Sequence, residues 1–394
     1  LGKLIVDQLD LSGRRVFLRV DFNVPLEGER VGDDTRITAA LPTVQHCLGA
    51  GASVVLASHL GRPKGKPDRK YSLAPVAERL GDLLGRPVPL APDCVGADVK
   101  AQASALAPGQ ALMLENLRFH AQEEANDDAF AQELASLADV YVNDAFAAAH
   151  RAHASIEAIT RHLRPAAAGL LMARELAALG RILTGAERPL WAILGGAKVS
   201  DKLALVENLL SRVDGLLIGG GMAFTFLASL GHGIGRSLVE PERVELARTI
   251  LDRARSRGVP VRLPVDVVVA RGADDPAGSR TVGIREIPPD LAGFDIGSAT
   301  VSQFRASLVG SKTVVWNGPM GVFEKAAFAE GTLGVAKAVA DCGAFSVVGG
   351  GDTIAAIQHA GVASRIGYIS TAGGAFLEFL EGRELPGVAA LDDA

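Results

Sequence analysis

The chain alternates two hydrophobic patterns along its length. Short apolar runs of strand length recur as RRVFLRV at 14–20, SVVLAS at 53–58, ALMLE at 111–115 and VYVND at 140–144. They return as LWAILG at 190–195, GLLIGG at 215–220, TVVWNG at 313–318 and FSVVGGG at 345–351. Between the runs, the stretches 72–85, 126–138, 201–211 and 242–257 place apolar residues at three- and four-residue intervals, the spacing of one helix face. Strand and helix in alternation predict an α/β fold whose parallel sheets are flanked by helices on both faces.

The segment AAAGLLMARELAALGRIL at 166–183 separates the two series, and its Ala and Leu content predicts one helix linking two lobes. The expected organisation is a first domain over 1–165, an interdomain helix over 166–184 and a second domain over 185–376, with the tail 377–394 packing back on the first. No residue-level repeat relates the halves. A length of 394 residues exceeds one ordinary hydrophobic core, which agrees with two domains.

Composition narrows the function classes. The apolar fraction of 48% fits a fully globular chain, and the formal net charge of −5 argues against a general nucleic-acid or anionic-membrane binder. Any anion must be met by local basic clusters. Cys47, Cys94 and Cys342 stand far apart and form no CxxC pair, so the spacing predicts neither a zinc site nor a disulfide framework, and a reducing compartment fits. The uncharged run 215–235 has membrane-span length, but its seven glycines and His232 read as strand, glycine turn and helix. Asp7, Asp10, Arg14 and Arg15 interrupt any signal-peptide pattern, so a cytoplasmic protein is expected; Leu1 in place of an initiator Met suggests processing or trimming.

The candidate chemistry is divided between the halves. After residue 190 come glycine turns, GGAKVSDK at 195–202, IGGGMAF at 218–224 and VGGGDT at 348–353, each directly after an apolar run. Ligands of open parallel sheets collect at the carboxyl ends of strands, where glycine lets backbone approach a phosphate. Each turn taken alone also reads as a tight strand-to-helix connection. Lys198 and Lys202 are four apart, so on a helix opening there they share a face and both reach one polyphosphate. A cation near a helix start is disfavoured unless an anion is present. Asp352 can hold magnesium with Thr353 adding a hydroxyl, or serve as an N-cap. No GxGxxG fingerprint and no GxxxxGK[ST] loop occurs, which disfavours a common NAD-dependent dehydrogenase and a P-loop NTPase.

Before residue 152 lies a scatter of strand-end polar residues: Arg19, Asp21 and Asn23 in RVDFNVP, Arg36 in DDTRI, His59 and Arg62 in SHLGRP, Arg118 in ENLRFH and Arg151 in AHRAHAS. Guanidinium forks bind phosphate and carboxylate oxygens in pairs, so this set selects a small phosphorylated acid. His150 and His153 flank Arg151 without a further His or Cys close in sequence, which is little basis for a metal site.

Taken with NDAFAAAHRAHAS, WNGPMGVFE and STAGGA, these motifs resemble the phosphoglycerate kinase family in order and spacing across nearly the whole chain. The resemblance implies two Rossmann-like lobes joined by an interdomain helix and hinge. It also implies a monomer binding 3-phosphoglycerate or 1,3-bisphosphoglycerate on the first lobe and ADP or ATP with magnesium on the second. By the same resemblance Asp21, Asn23, Arg36, His59, Arg62, Arg118 and Arg151 hold the phosphoglycerate. Lys202 meets the nucleotide phosphates, and Lys198 steadies the phosphoryl group in flight with Arg36 and the amides near Gly373 and Gly374. Gly196, Ala197 and Gly220 border the adenine, Asn317 and Pro319 lie beside the nucleotide, and Glu324 bonds the ribose. Gly350, Gly351, Asp352 and Thr353 close over the phosphates, with Asp352 at magnesium.

The chain departs from the family pattern at Ala147, Ala148, Ser298 and Ala372, none of them a charged site position. A nucleotide-binding regulatory protein that lost catalysis is the alternative from another class, and Arg36, Lys198, Lys202 and Asp352 argue against it.

Overall fold

The computed structural model describes residues 2–394. Among them the chain divides into two compact units, one running to Ala177 and taking in Glu384–Ala394, the other spanning Ala178–Arg383.

The first unit contains β1 (Arg15–Arg19), a hairpin of β2 (Leu26–Glu27) and β3 (Arg30–Val31), then β4 (Ser53–Ala57), β5 (Ala111–Met113), β6 (Val140–Asn143) and β7 (Ala166–Ala168). Five of these strands pair in parallel in the order β5-β4-β1-β6-β7. Arg19 at the end of β1 faces Ala57 of β4 and Asn143 of β6, so the loops leaving three strands start from one level of the carboxyl edge. Val16, Leu18, Val54, Leu56 and Val142 are sealed against Ile37, Val44 and Leu80 of the helices Thr35–Gly49 and Ala74–Leu84. The second of these helices stops where Gly85 turns left-handed at φ 64°.

The linking helix begins later than its composition predicts. Ala166–Ala168 is a strand at the sheet edge, paired with Tyr141 to Asn143, because the ladder and the burial of three methyl groups outweigh a weak intrinsic helix preference. The helix itself is Leu170–Thr184. Asp144 Oδ1 anchors its first turn by accepting the N–H groups of Leu171 at 2.9 Å and Met172 at 3.1 Å. A Cβ at residue 169 would lie 2.1 Å from that same oxygen, so only glycine admits the anchor. The boundary between the units falls inside the helix, after Ala177.

The second unit contains β8 (Leu190–Leu194), β9 (Gly215–Ile218), β10 (Val261–Arg262), β11 (Asp266–Ala270), β12 (Arg280–Gly283), β13 (Ala292–Ile296), β14 (Thr313–Asn317), β15 (Phe345–Gly349) and β16 (Tyr368–Ser370). Six of them pair in parallel as β10-β9-β8-β14-β15-β16. Its core includes the fully buried Trp316, packed with Leu217, Phe304 and Val335. The unit also carries an antiparallel sheet in the order β12-β11-β13, which the alternating-pattern reading did not anticipate. The polar turn ADDPAGS at 273–279 sits between β11 and β12 and is what reverses the chain there.

The run 215–235 resolves into β9, a glycine turn and the helix Met222–Ser229, and no described helix is long and apolar enough to cross a membrane. The tail grouped with the first unit begins at Glu384 rather than 377. The helix Gly374–Leu380 stays with the second unit, where the Asn208 amide donates to the Leu380 carbonyl at 2.6 Å.

Candidate active site

In the first unit the strand ends gather the basic residues around a buried support. Arg19, at the end of β1, is only 1% exposed. Its Nε donates to Ser155 Oγ at 2.8 Å, and Ser155 in turn donates to Glu123 through its hydroxyl at 2.6 Å and its amide at 2.9 Å. Glu123 is wholly buried, so its carboxylate supplies the counter-charge that lets a guanidinium sit inside the lobe. Sequence reasoning noted Arg19 but missed Glu123 and Ser155; the first lies in the four-residue helix Ala121–Glu124 and the second in a turn, neither long enough to show a periodic signal.

Arg19 Nη2 lies 3.3 Å from His59 Nδ1. Burial, followed by the charges of Arg19, Arg118 and Arg36, pushes the His59 pKa well below 6.5. The imidazole is therefore neutral at pH 7, and one that accepts at Nδ1 carries its proton at Nε2, where it serves as a donor. Burial, followed by the charges of Arg19, Arg118 and Arg151, lowers His153 to about 3.

The remaining members interlock through one loop. Asn23 Oδ1 accepts the Gly61 N–H at 2.9 Å, and Arg118 Nη1 donates to the Gly61 carbonyl at 2.9 Å. Arg36 Nη1 donates to Asp21 Oδ2 at 2.7 Å and stays about one-third exposed. Arg62 and Arg151 are exposed beside this frame, and the charge of Arg151 is felt at both Arg118 and His153. All seven sequence-predicted residues thus belong to one unit. Arg19 and Arg118 are buried, Arg36 is half-buried on Asp21, and Arg62 and Arg151 are exposed, which concentrates five guanidinium groups in this unit.

In the second unit the glycine turns form a knitted floor. Gly195 and Gly196 donate to the Asn317 and Pro319 carbonyls at 2.9 Å each, Gly220 donates to Met320 at 3.0 Å, and Met222 donates to Gly196 at 3.0 Å. The ends of β8, β9 and β14 are thereby tied together. Gly220 has φ +67°, and a Cβ there would lie 2.6 Å from both the N and the O of Gly196. No other residue fits that crossing.

Above this floor lies a cleft of about 510 Å³ bordered by Gly196, Ala197, Gly220, Pro319, Glu324 and Asp352 among the predicted residues. Its apolar walls come from residues the sequence reading missed, chiefly Phe224, Leu238, Val322 and the β13 segment Ala292–Ile296. A largely apolar cleft that also carries the carboxyl groups of Asp295, Glu324 and Asp352 suits a ring with a polar tail.

Lys202 stands beside the floor, 9% exposed, and donates to Asn317 Oδ1. Burial lowers its pKa to about 8, with Asp201 and Asp352 partly opposing the shift. Asn317 Nδ2 donates to the Gly349 carbonyl at 2.8 Å, and Thr353 Oγ1 accepts the Gly318 N–H at 2.7 Å, so both brace the glycine turns. Gly350 caps the helix Gly351–His359 with φ 97°. Asp352 sits in the first turn of that helix, exposed, and among the described residues no hydrogen bond or ion pair occupies its carboxylate. The cap position belongs to Gly350. The Asp352 carboxylate is of the kind that takes a magnesium ion together with phosphate oxygens.

The two lysines do not share a helix face. Lys198 lies in an exposed irregular loop, followed by the 3-10 turn Ser200–Lys202, and Lys202 is the N-cap of the helix Leu203–Leu210. Glu240 fixes the start of this turn by accepting the N–H groups of Val199 at 2.6 Å and Ser200 at 3.1 Å. Gly373, at φ 54°, caps the helix Gly374–Leu380 directly after β16, next to β15 on the same carboxyl edge.

Comparison with known proteins agrees across the length of the chain. The family model described as Phosphoglycerate kinase matches residues 6–383. The chain is 55% identical over 393 residues to the phosphoglycerate kinase of Moorella thermoacetica, covering 100% of each, and 55% identical over 385 residues to that of Desulfosudis oleivorans, covering 98% of this chain and 97% of the other. Among solved structures, the phosphoglycerate kinase of Coxiella burnetii matches with a TM-score of 0.92 at 42% identity, covering 98% of both chains. That of Pyrococcus horikoshii OT3 matches with a TM-score of 0.84 at 35% identity over the same share.

Proposed function

The chain belongs to the phosphoglycerate kinase family, and from that premise we propose how its two units divide the reaction between them. The reaction is reversible phosphoryl transfer between 1,3-bisphosphoglycerate and ADP, giving 3-phosphoglycerate and ATP, a substrate-level phosphorylation step of glycolysis. The first unit holds the phosphoglycerate. Arg118, anchored on Gly61, grips its distal phosphate with Arg62 and Arg151, while the neutral His59 donates from Nε2. Asp21 and Asn23 orient the glycerate hydroxyl and carboxyl end, and Asp21 also aims Arg36.

The second unit holds the nucleotide in the cleft between Gly196–Ala197, Gly220 and Pro319, with Glu324 at the ribose. Lys202 meets the phosphates, and Gly350, Gly351 and Thr353 shape the turn beneath them. The exposed Asp352 carboxylate at the cleft would hold a magnesium ion carried by the nucleotide, and such an ion would supply positive charge against the phosphates.

In the ATP-consuming direction the nucleophile is a carboxylate, ionised at pH 7 because its pKa lies near about 3.5, so no general base is required. Rate enhancement rests on positioning and on neutralising charge spread over the equatorial oxygens, by Arg36, Lys198, Lys202 and the amides at Gly373 and Gly374. A monomer in the cytoplasm fits this reading, and the free buried thiols of Cys47 and Cys94 suit a reducing compartment. The single observation that carries the division of labour is Lys202, a cation held out of water beside a glycine floor, where its desolvation is repaid by an anion. The test is a coupled assay supplying 3-phosphoglycerate and Mg-ATP. ADP release that depends on both substrates is expected, and its absence with folded protein overturns the reading.

A further inference from the structure

Asp93, Cys94 and His120 meet in the first unit, apart from the residues assigned above. Each offers one donor atom, and the three atoms lie within 4.8 Å of one another. His120 Nε2 is 2.6 Å from Asp93 Oδ1, and Cys94 Sγ donates to the Glu115 carbonyl at 3.0 Å. Cys94 is fully buried, whereas Asp93 and His120 keep 48% and 24% of their side chains exposed, so the group has a dry floor and a solvent-facing mouth.

The backbone around these donors is held in place. Ala91 donates to Met113 at 2.7 Å and Glu115 to Asp93 at 3.4 Å, which pins the Asp93–Cys94 loop along the extension of β5. The His120 ring stacks on Phe130 with centroids 5.0 Å apart. Three donors on braced segments need little reorganisation to take an ion. Sequence spacing predicted no zinc site, because no two cysteines are paired; here the partners of the single thiol come from a neighbouring carboxylate and a distant imidazole.

We propose that Asp93, Cys94 and His120 form a binding site for a borderline-soft divalent cation, with zinc the best match. Thiol sulfur, imidazole nitrogen and carboxylate oxygen together are donors zinc accepts, whereas magnesium and calcium prefer oxygen alone. Binding replaces the Cys94 thiol proton, which is released to solvent, and replaces the hydrogen bond shared by His120 and Asp93. Three protein ligands leave a fourth position to water, which makes the site exchangeable rather than closed.

The site also has a defined neighbour. His120 directly follows the 3-10 turn Leu117–Phe119 that carries Arg118, and the Arg118 carbonyl accepts the Gly65 N–H at 3.2 Å. An ion that fixes His120 therefore acts on the segment gripping phosphoglycerate. On the reading above, zinc changes KM for 3-phosphoglycerate and leaves ADP affinity in the second unit unchanged.

The experiment is a titration of the full, chelator-stripped chain with Co²⁺ alone, which reports the site independently of kinase activity. A near-ultraviolet thiolate-to-cobalt band with intense visible bands is expected, reversed by Zn²⁺, lost in Cys94→Ser and kept in Cys342→Ser. If circular dichroism shows that Cys94→Ser does not fold, His120→Asn is expected to weaken Co²⁺ affinity, and unchanged affinity overturns the site. No thiolate band in the wild type at excess Co²⁺, or a band that survives Cys94→Ser, overturns it as well. Loss of coupled kinase activity with the cobalt spectrum intact would strike the functional reading and leave the metal site standing.

Discussion

Replacing Lys202 by Met tests whether the buried cation stores binding energy for the nucleotide. Burial brings the Lys202 pKa from 10.5 to about 8. At 1.36 kcal/mol per tenfold change, this makes the charged form about 3 kcal/mol less stable in the folded protein than in the unfolded chain. Between pH 8 and 10.5 the unfolded chain binds the proton that the native state has released, so native stability rises with pH through that window. Below pH 8 the penalty is fully present. Methionine removes it but leaves the buried Asn317 Oδ1 without its donor, a loss of about 1–3 kcal/mol. The variant is therefore expected to match the wild type near pH 7.5 or exceed it by up to about 2 kcal/mol, and to fall behind as the wild-type lysine neutralises. Across pH 7.5 to 10 the difference should swing against the variant by about 2–3 kcal/mol. Trp191 and Trp316, the chain's two tryptophans, both lie in the second unit, so urea unfolding followed by their fluorescence reads the right unit. The same variant should lose measurable ADP binding in calorimetry. A stability difference that stays constant from pH 7.5 to 10, or an unchanged ADP affinity, refutes the reasoning.

Three further outcomes are expected. Arg36→Met should lower kcat by about 10²–10³-fold because its cation serves the transferred group, while Arg118→Met, which removes the anchored grip on the distal phosphate, should mainly raise KM for phosphoglycerate; steady-state kinetics showing equal effects on both constants would reject the separation. Gly220→Ala forces a side chain into φ +67° against the Gly196 backbone, so the second unit should lose at least about 1–2 kcal/mol and bind ADP more weakly, with phosphoglycerate binding intact by calorimetry. Asp295, under the nucleotide cleft, is raised by burial from 3.8 to about 7, so its native state holds a proton that the unfolded chain has lost between those values, and stability falls as pH rises through them. Asp295→Asn should gain on the wild type by up to about 4 kcal/mol from pH 4 to 8; parallel unfolding curves for the two proteins across that range would show that the carboxyl does not titrate there.

Much of the architecture was legible because parallel strands and their covering helices leave local signatures: apolar runs of strand length, helix-period spacing, and glycine where a strand end turns. The strand-end arginines and glycine turns were legible for the same reason, since in this fold class loops at the carboxyl edge converge whatever their distance in sequence. Other features had no local signal. Ala166–Ala168 reads as helix by composition and is a strand because a neighbouring ladder and the Gly169–Asp144 approach decide it. Lys198 and Lys202 have helical spacing, yet a loop and a 3-10 turn anchored on Glu240 lie between them, and the helix opens only after Lys202. The charge balance that lets Arg19 stand inside the lobe depends on Glu123 and Ser155, and the zinc-type donors on His120 meeting Cys94. Sequence set the periodicities and the chemistry available; long-range packing chose which buried charges share a partner and which donors meet, because burial and proximity are properties of the folded chain alone.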